Sequence, residues 1–258
     1  MYWIVQENVK DERMYDEFLR AIRELNLAHS VVKVVPFSHE TIPDVNPPAG
    51  PVICFGSVSM DHVAQLKGWK PGTFLNENFD QRIWTAKYKD YILNDDAEFY
   101  EFSKIPEFTG MRFIRPVSDM KIFSGMLVHS EEVENWKEAI QRVSDSFTTL
   151  RGDTMIGVSS MKDIMMEWRF FVVDGRVVTG SRYYQWGLPD HRRVDLHSGA
   201  WQFAQKMVDH WQPSRGFVID IAQLGKTDEY KVIEINCLNS AGFYACDMKE
   251  VVRAIESL

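Results

Sequence analysis

The sequence predicts a mixed α/β protein, in which a small parallel α/β unit at the N-terminus precedes two lobes built on antiparallel sheets. Three observations carry that expectation. Strand-like and helix-like runs alternate through the first third, an Asp-Gly turn joins two β-branched runs at 167–184, and a Gly-Lys-Thr-Asp-Glu turn joins two more at 216–236. They divide the chain into expected units of residues 1–98, 99–160 and 161–258.

In the first unit YWIV (2–5) and VVKVV (31–35) read as buried strands, and Met14, Phe18, Ile22 and Leu25 repeat between them at helical spacing. PVICFGS (51–57) is a third strand, which opens into the helix MDHVAQLKGW (60–69). This β-α-β order favours a parallel sheet covered by helices. The stretch TIPDVNPPAGP (41–51) is a Pro-rich loop within the unit, because the strand it feeds continues the pattern.

Residues 76–106 are polar and aromatic without clean periodicity, and mark the crossing into the second unit. MRFIRPV (111–117) and MKIFSGMLV (120–128) read as strands. A helix then starts at Ser130, with Glu131 and Glu132 at the positive end of its dipole and Val133, Trp136, Ile140, Val143 and Phe147 as its apolar stripe.

In the third unit the Asp174-Gly175 pair suits a two-residue turn. With an unbroken ladder that turn sets Arg182 opposite Glu167 and Gly180 opposite Arg169, so Glu167, Arg169 and Arg182 share one face. Trp168, Phe170, Val172, Val177 and Tyr183 then form the core face. A helix at 199–211 leads to GFVIDIAQL (216–224) and YKVIEIN (230–236), flanking the five-residue turn 225–229.

Composition narrows the function classes. A net charge of −8 argues against broad binding to nucleic-acid backbones. Three cysteines without CxxC spacing indicate neither a disulfide framework nor a zinc site, and fit a reducing cytoplasm. No apolar run is long enough to cross a bilayer and the N-terminus lacks the pattern of a secretory signal, so a cytoplasmic protein with no membrane partner is expected. No dinucleotide GxGxxG, HExxH or GxSxG pattern is present. Leu224-Gly225-Lys226-Thr227 imitates the end of a P-loop, but Asp220 stands where that motif needs Gly, so the segment reads as a turn. The stretch DHRRVDLH (190–197) reads as a solvated loop, with an anion site as the alternative.

The informative stretch is YKVIEINCLNSAGFY (230–244). Closing 225–229 as a loop pairs Leu224 with Tyr230 and, counting back, Asp220 with Glu234, with Asn236 further along the same face. Two carboxylates directly across a ladder repel each other unless something positive lies between them. Magnesium takes oxygen ligands, usually one or two carboxylates plus substrate phosphates, so Asp220, Glu234 and Asn236 are candidate metal ligands. The competing reading is the wet face of an edge strand.

EWRFFVVDGRVVTGSR, GFVIDIA and VIEINCLNSAG together resemble the ATP-grasp superfamily, in particular its glutathione-synthetase-like branch and the ligases that add glutamate to a ribosomal-protein tail. Upstream, FIRPVSDMKIFSG is similar to the segment that holds the ATP phosphates. Asn239-Ser240-Ala241-Gly242 departs from the family's Ser-Pro-Gly, and only Ser124-Gly125 stands where a long glycine-rich lid is usual. The resemblance implies a pre-ATP-grasp domain followed by a two-lobed ATP-grasp fold, with ATP and Mg2+ as cofactors. It also implies joining of a carboxylate to an amine through an acylphosphate, on a small-molecule, amino-acid or peptide substrate. Arg115 and Lys121 would grip the phosphates, while Arg169 and Arg182 would face the transferring phosphoryl group or the substrate carboxylate. Glu167 would help hold the nucleotide by orienting those arginines, or form a plain ion pair with Arg182. Adenine would lie near residues 156–161, read by backbone after Gly157. A nucleotide-binding module without ligase activity is the alternative, as is a structural protein with a solvated acidic face.

Overall fold

The computed structural model describes residues 1–9, 12–36, 38–142 and 149–258, with only the backbone of 12–14 and Ser240 described. Of the expected helical stripes, the Met14 side chain, Val143 and Phe147 therefore lie outside the described residues. Three sheets organise the molecule.

The N-terminal sheet has the order β3-β2-β1-β4-β5, from β1 (Tyr2–Gln6), β2 (His29–Val34), β3 (Thr41–Ile42), β4 (Val52–Phe55) and β5 (Pro71–Gly72). All pairings are parallel except that of β2 with β3. The expected β-α-β unit is present, with α1 (Glu12–Glu24) and α2 (Val58–Lys67). Phe18 of α1 stacks on Phe55 of β4 with ring centroids 3.9 Å apart, and both are buried. Each such burial stabilises by about 1.5–3 kcal/mol.

The four-stranded sheet, β6-β9-β7-β8, combines β6 (Glu98–Glu101), β7 (Met111–Pro116), β8 (Met126–His129) and β9 (Met155–Ser160). Its pairings are antiparallel. The strand expected over 120–128 is confined to its last residues, and 117–125 is a loop. Helix α4 (Ser130–Arg142) lays Val133, Trp136 and Ile140 on the sheet against Phe102 and Ile114.

The C-terminal sheet, β12-β11-β10-β13-β14, is antiparallel throughout. It combines β10 (Ile164–Val173), β11 (Arg176–Gln185), β12 (Leu188–Arg193), β13 (Gly216–Leu224) and β14 (Tyr230–Cys237). Residues 190–193, expected in a solvated loop, form the exposed edge strand β12, reached by a tight turn with positive φ at Trp186 and Gly187. One face packs on α5 (Gly199–His210) and on α3 (Gln81–Tyr88), a helix inside the stretch that shows no clean periodicity. Trp84 and Tyr88 of α3 are fully buried there, four residues apart on one helical face. The other face, with Phe171 and Val218, shares one core with Trp3, Phe18 and Phe55 of the N-terminal sheet and with α6 (Met248–Glu256). The Asp247 carboxylate caps α6, and its backbone N–H donates to Thr179 Oγ1 at 2.9 Å, which fixes the helix to the sheet.

The two hairpins show what register depends on. Asp174 and Gly175 both have positive φ, as a two-residue turn requires, and Val172 pairs with Val177 as expected. Irregularities between Phe171 and Val172 and between Glu167 and Trp168 then offset the ladder, so Arg182 pairs with Trp168 and Tyr184 with Glu167. A one-residue slip sends a side chain to the other face. Arg182 therefore stands on the face of Trp168, opposite to Arg169, and Tyr183 takes the place expected for it. In the second hairpin Tyr230 pairs with Gln223, one residue from expectation, but a bulge beyond Ile221 restores Asp220 opposite Glu234.

Candidate functional site

A cleft of about 470 Å3 separates the four-stranded sheet from the C-terminal sheet, and a second hollow of about 310 Å3 adjoins it. Both are walled by Arg169, Glu234 and Tyr244 on one side and by Ser124 and Gly125 on the other. Gly125 lets this wall approach closely, since a Cβ there would lie 2.5 Å from the Phe113 ring.

β10, β13 and β14 present Arg169, Asp220, Glu234 and Asn236 on one face, and β7 and the loop after it bring Arg115, Asp119 and Lys121 across the cleft. Arg169 donates from Nε and Nη2 to the two oxygens of Asp220, at 2.8 and 2.6 Å, and from Nη1 to the Gly242 carbonyl at 3.3 Å. Arg115 Nη1 lies 2.9 Å from Glu234 Oε2, and its guanidinium sits 5.3 Å from the Trp84 ring centroid. Lys121 Nζ donates to Asp119 and, at 2.7 Å, to Asn236 Oδ1, while Asn236 Nδ2 donates to Glu234 Oε1 at 2.8 Å.

The expected pairing of Asp220 with Glu234 is thus present, but its repulsion is relieved by Arg169, Arg115 and Lys121. The expectation that the two carboxylates need a metal between them is corrected to that extent. Among the described residues no cluster of three or more His, Cys, Asp or Glu side chains could hold a metal. Two carboxylates and an amide oxygen still match the partial oxygen set that magnesium accepts when phosphates supply the rest. The donor types fit the ion, provided the protein's own cations release those oxygens.

Burial sets the electrostatics. Asp220 is 1% exposed, and burial pushes its carboxyl up, to about 7, against the pull of Arg169. Burial would raise Glu234 as well, but Arg115, Lys121 and Arg169 together draw it down to about 2. Glu167 is raised by burial and by the charge of Glu234, opposed by a hydrogen bond from Tyr183.

The structure redistributes the remaining expected residues. Glu167 lines the cleft but accepts from Tyr183 Oη at 2.8 Å, and orients neither arginine by a direct bond. Arg182 lines neither cavity. It pairs with Asp190 of β12 and is excluded from the set expected at the reaction centre. Gly157 is hydrogen-bonded between β6 and β7, and the cleft is lined by the next segment, Ser160, Met161, Lys162 and Ile164.

Three site residues went unrecognised in the sequence. Asp119 is buried, and its Oδ2 accepts from the Cys237 backbone N–H at 2.7 Å. Tyr183 and Tyr244 stack on each other 4.7 Å apart and flank the Arg169 guanidinium at 5.8 and 5.2 Å. No local pattern marks Asp119. Tyr183 could have been found only with the strand offset in hand.

A family model described as an ATP-grasp domain, the third family of its clade, matches residues 45–255. The chain belongs to this ATP-grasp family. A comparison with curated proteins finds no match. Solved structures with the same fold include D-alanine–D-alanine ligase from Bacillus anthracis complexed with ATP, at 12% identity and TM-score 0.61, covering 99% of this chain and 96% of that one. The ATP-grasp ligase PsnB complexed with a minimal precursor matches at 13% identity and TM-score 0.58, covering 99% and 98%. A RimK domain ATP-grasp protein from Sphaerobacter thermophilus matches at 12% identity and TM-score 0.59, covering 93% and 92%. The expected superfamily, its mixed α/β fold and its cofactors, ATP and Mg2+, are those of this family. Among the described residues no helix is long and apolar enough to cross a membrane.

Proposed function

We propose that this ATP-grasp protein is an ATP- and Mg2+-dependent carboxylate-amine ligase that forms an amide or peptide bond. The observation that carries the reading is the convergence of Arg115, Lys121, Arg169, Asp220, Glu234 and Asn236 on one cleft between two sheets. Phosphoryl transfer demands mainly that cations be placed where charge accumulates, and this cleft has three.

In this reading a substrate carboxylate oxygen attacks the γ-phosphorus of ATP and ADP leaves. The amine nitrogen then attacks the acyl carbon of the acylphosphate, inorganic phosphate departs, and the nitrogen loses a proton. Arg115 and Lys121 hold the phosphates, and Arg169, kept in place by Asp220 and two tyrosine rings, faces the phosphoryl group and the substrate carboxylate. Asp220, Glu234 and Asn236 would hold Mg2+, which supplies neutralisation of phosphate charge. The named ligands of the structural neighbours, a precursor in PsnB and ATP in the D-alanine–D-alanine ligase, support an amino-acid or peptide substrate and a nucleotide in this cleft. We further propose that units 1–98, 99–160 and 161–258 serve as pre-ATP-grasp domain and the two grasp lobes, in a cytoplasmic protein acting on neither nucleic acid nor membrane.

A screen of amino acids and short peptides for stimulated ADP release tests the proposal, with hydroxylamine to trap the acylphosphate. Stimulation by at least one carboxylate together with an amine, lost in Glu234→Gln, is the expected result. The loop 117–125 is short for a cover over a triphosphate and favours a second reading, a nucleotide-binding module without ligase activity. Tight Mg2+-ADP binding with no stimulated turnover by any candidate would select it.

A further inference from the structure

The phosphate-binding lysine and the metal face are in direct contact. Asn236 Oδ1 accepts from Lys121 Nζ at 2.7 Å, and its other amide atom is committed to Glu234. Lys121 also has a positive φ of 54°, unusual for a residue with a side chain, in the loop that carries it toward the sheet. What holds the ammonium there is Asp119, two residues earlier. Its carboxylate is nearly inaccessible, one oxygen taking the Cys237 backbone N–H at 2.7 Å and the other taking Lys121. Asp119 thus ties the loop between β7 and β8 to the end of β14, with the lysine directed at Asn236.

An ammonium donating to an amide oxygen and a divalent cation ligated by it compete for the same electron pairs. We propose that Asp119 is a positioning residue that docks Lys121 on Asn236 as a resident counter-cation, so that Lys121 and a divalent metal exclude each other until phosphate oxygens draw the ammonium away. Metal and nucleotide would then enter as a pair, each relieving the contact that hinders the other. This inference rests on the ligase reading only in placing the metal at Asp220, Glu234 and Asn236.

The test measures Mn2+ binding to the full-length, nucleotide-free protein by electron paramagnetic resonance. Lys121→Met should bind Mn2+ at least threefold more tightly than the wild type, whereas Lys121→Arg, which keeps a cation, should stay within twofold. Lys162 lines the adjoining cleft without touching Asn236, so Lys162→Met removes the same charge and should change Mn2+ affinity less than twofold. Asp119→Asn keeps an acceptor for the Cys237 N–H but loses the charge. Its side-chain ammonium NMR spectrum should lack the slowly exchanging Lys121 signal of the wild type, a signal that adding Mg2+-ATP to the wild type should also shift or remove. Unchanged or weaker Mn2+ binding in a folded Lys121→Met, no Mn2+ binding by either protein, or an equal gain in Lys162→Met overturns the proposal. Failure of the ligase reading is seen separately, as wild-type protein that binds no Mg2+-ATP.

Discussion

Replacing Arg169 with methionine separates the structural from the chemical role of the site's central cation. The guanidinium is 8% exposed and makes two short hydrogen bonds to Asp220, which is 1% exposed. Removing one member of such a buried pair strands the other charge, at a cost of roughly 3–5 kcal/mol. Part of that cost is escaped by protonation. Asp220 already has its carboxyl raised to about 7, and losing Arg169 raises it further, at about 1.4 kcal/mol for each tenfold loss of acidity. The penalty should accordingly be larger at pH 8 than at pH 5. The double variant Arg169→Met with Asp220→Asn leaves no unpaired charge and should recover more than half of the lost stability. Urea denaturation followed by tryptophan fluorescence, for the wild type, both single variants and the double variant at the two pH values, gives the coupling directly. Single-variant losses that simply add, with a coupling below about 0.5 kcal/mol, would refute the argument that the pair exists to neutralise buried charge.

Arg182→Ala should leave Mg2+-ATP binding within twofold of wild type by calorimetry, because Arg182 lies on the opposite face and pairs with Asp190. Gly125→Val should weaken ATP at least tenfold in the same assay with its melting temperature little changed, since the added side chain meets the Phe113 ring at the cleft wall. The nucleotide-free protein should lose stability as pH rises from about 4 to about 7, because folded Asp220 keeps a proton that the unfolded chain has released. Glu234, held at about 2, acts in the opposite sense: its contribution is present above the unfolded value near 4.3 and fades as pH falls toward 2. Chemical denaturation across pH 2–8 reads both slopes, and Asp220→Asn should flatten the upper one.

How much of this was legible in the sequence follows from which interactions are local. The β-α-β start, the Asp174-Gly175 turn and the pairing of Asp220 with Glu234 rest on short-range patterns, and the structure contains them. The face assignment of Arg182 failed because two ladder irregularities intervene, and neither has a turn residue to announce it. The same kind of irregularity in the second hairpin cancelled an error in the turn, so Asp220 met Glu234 by a different path than the loop count implies. Helix α3 was obscured by its polar outer face, although Trp84 and Tyr88 carry helical spacing. The neutralisation of the acidic face could not be read at all, because Arg115 and Lys121 reach it from another sheet.

The distribution of apolar contact also determines which part of the molecule is free to move. Pulling the N-terminal sheet away from the C-terminal one would wet the aromatic layer of Phe18, Phe55 and Phe171 that both own. The four-stranded sheet instead keeps its oily residues to itself and α4, and faces its neighbour across a largely water-compatible gap spanned by a few ionic contacts. Opening for a triphosphate therefore falls to the small middle body, swinging against a rigid block made of the two outer ones.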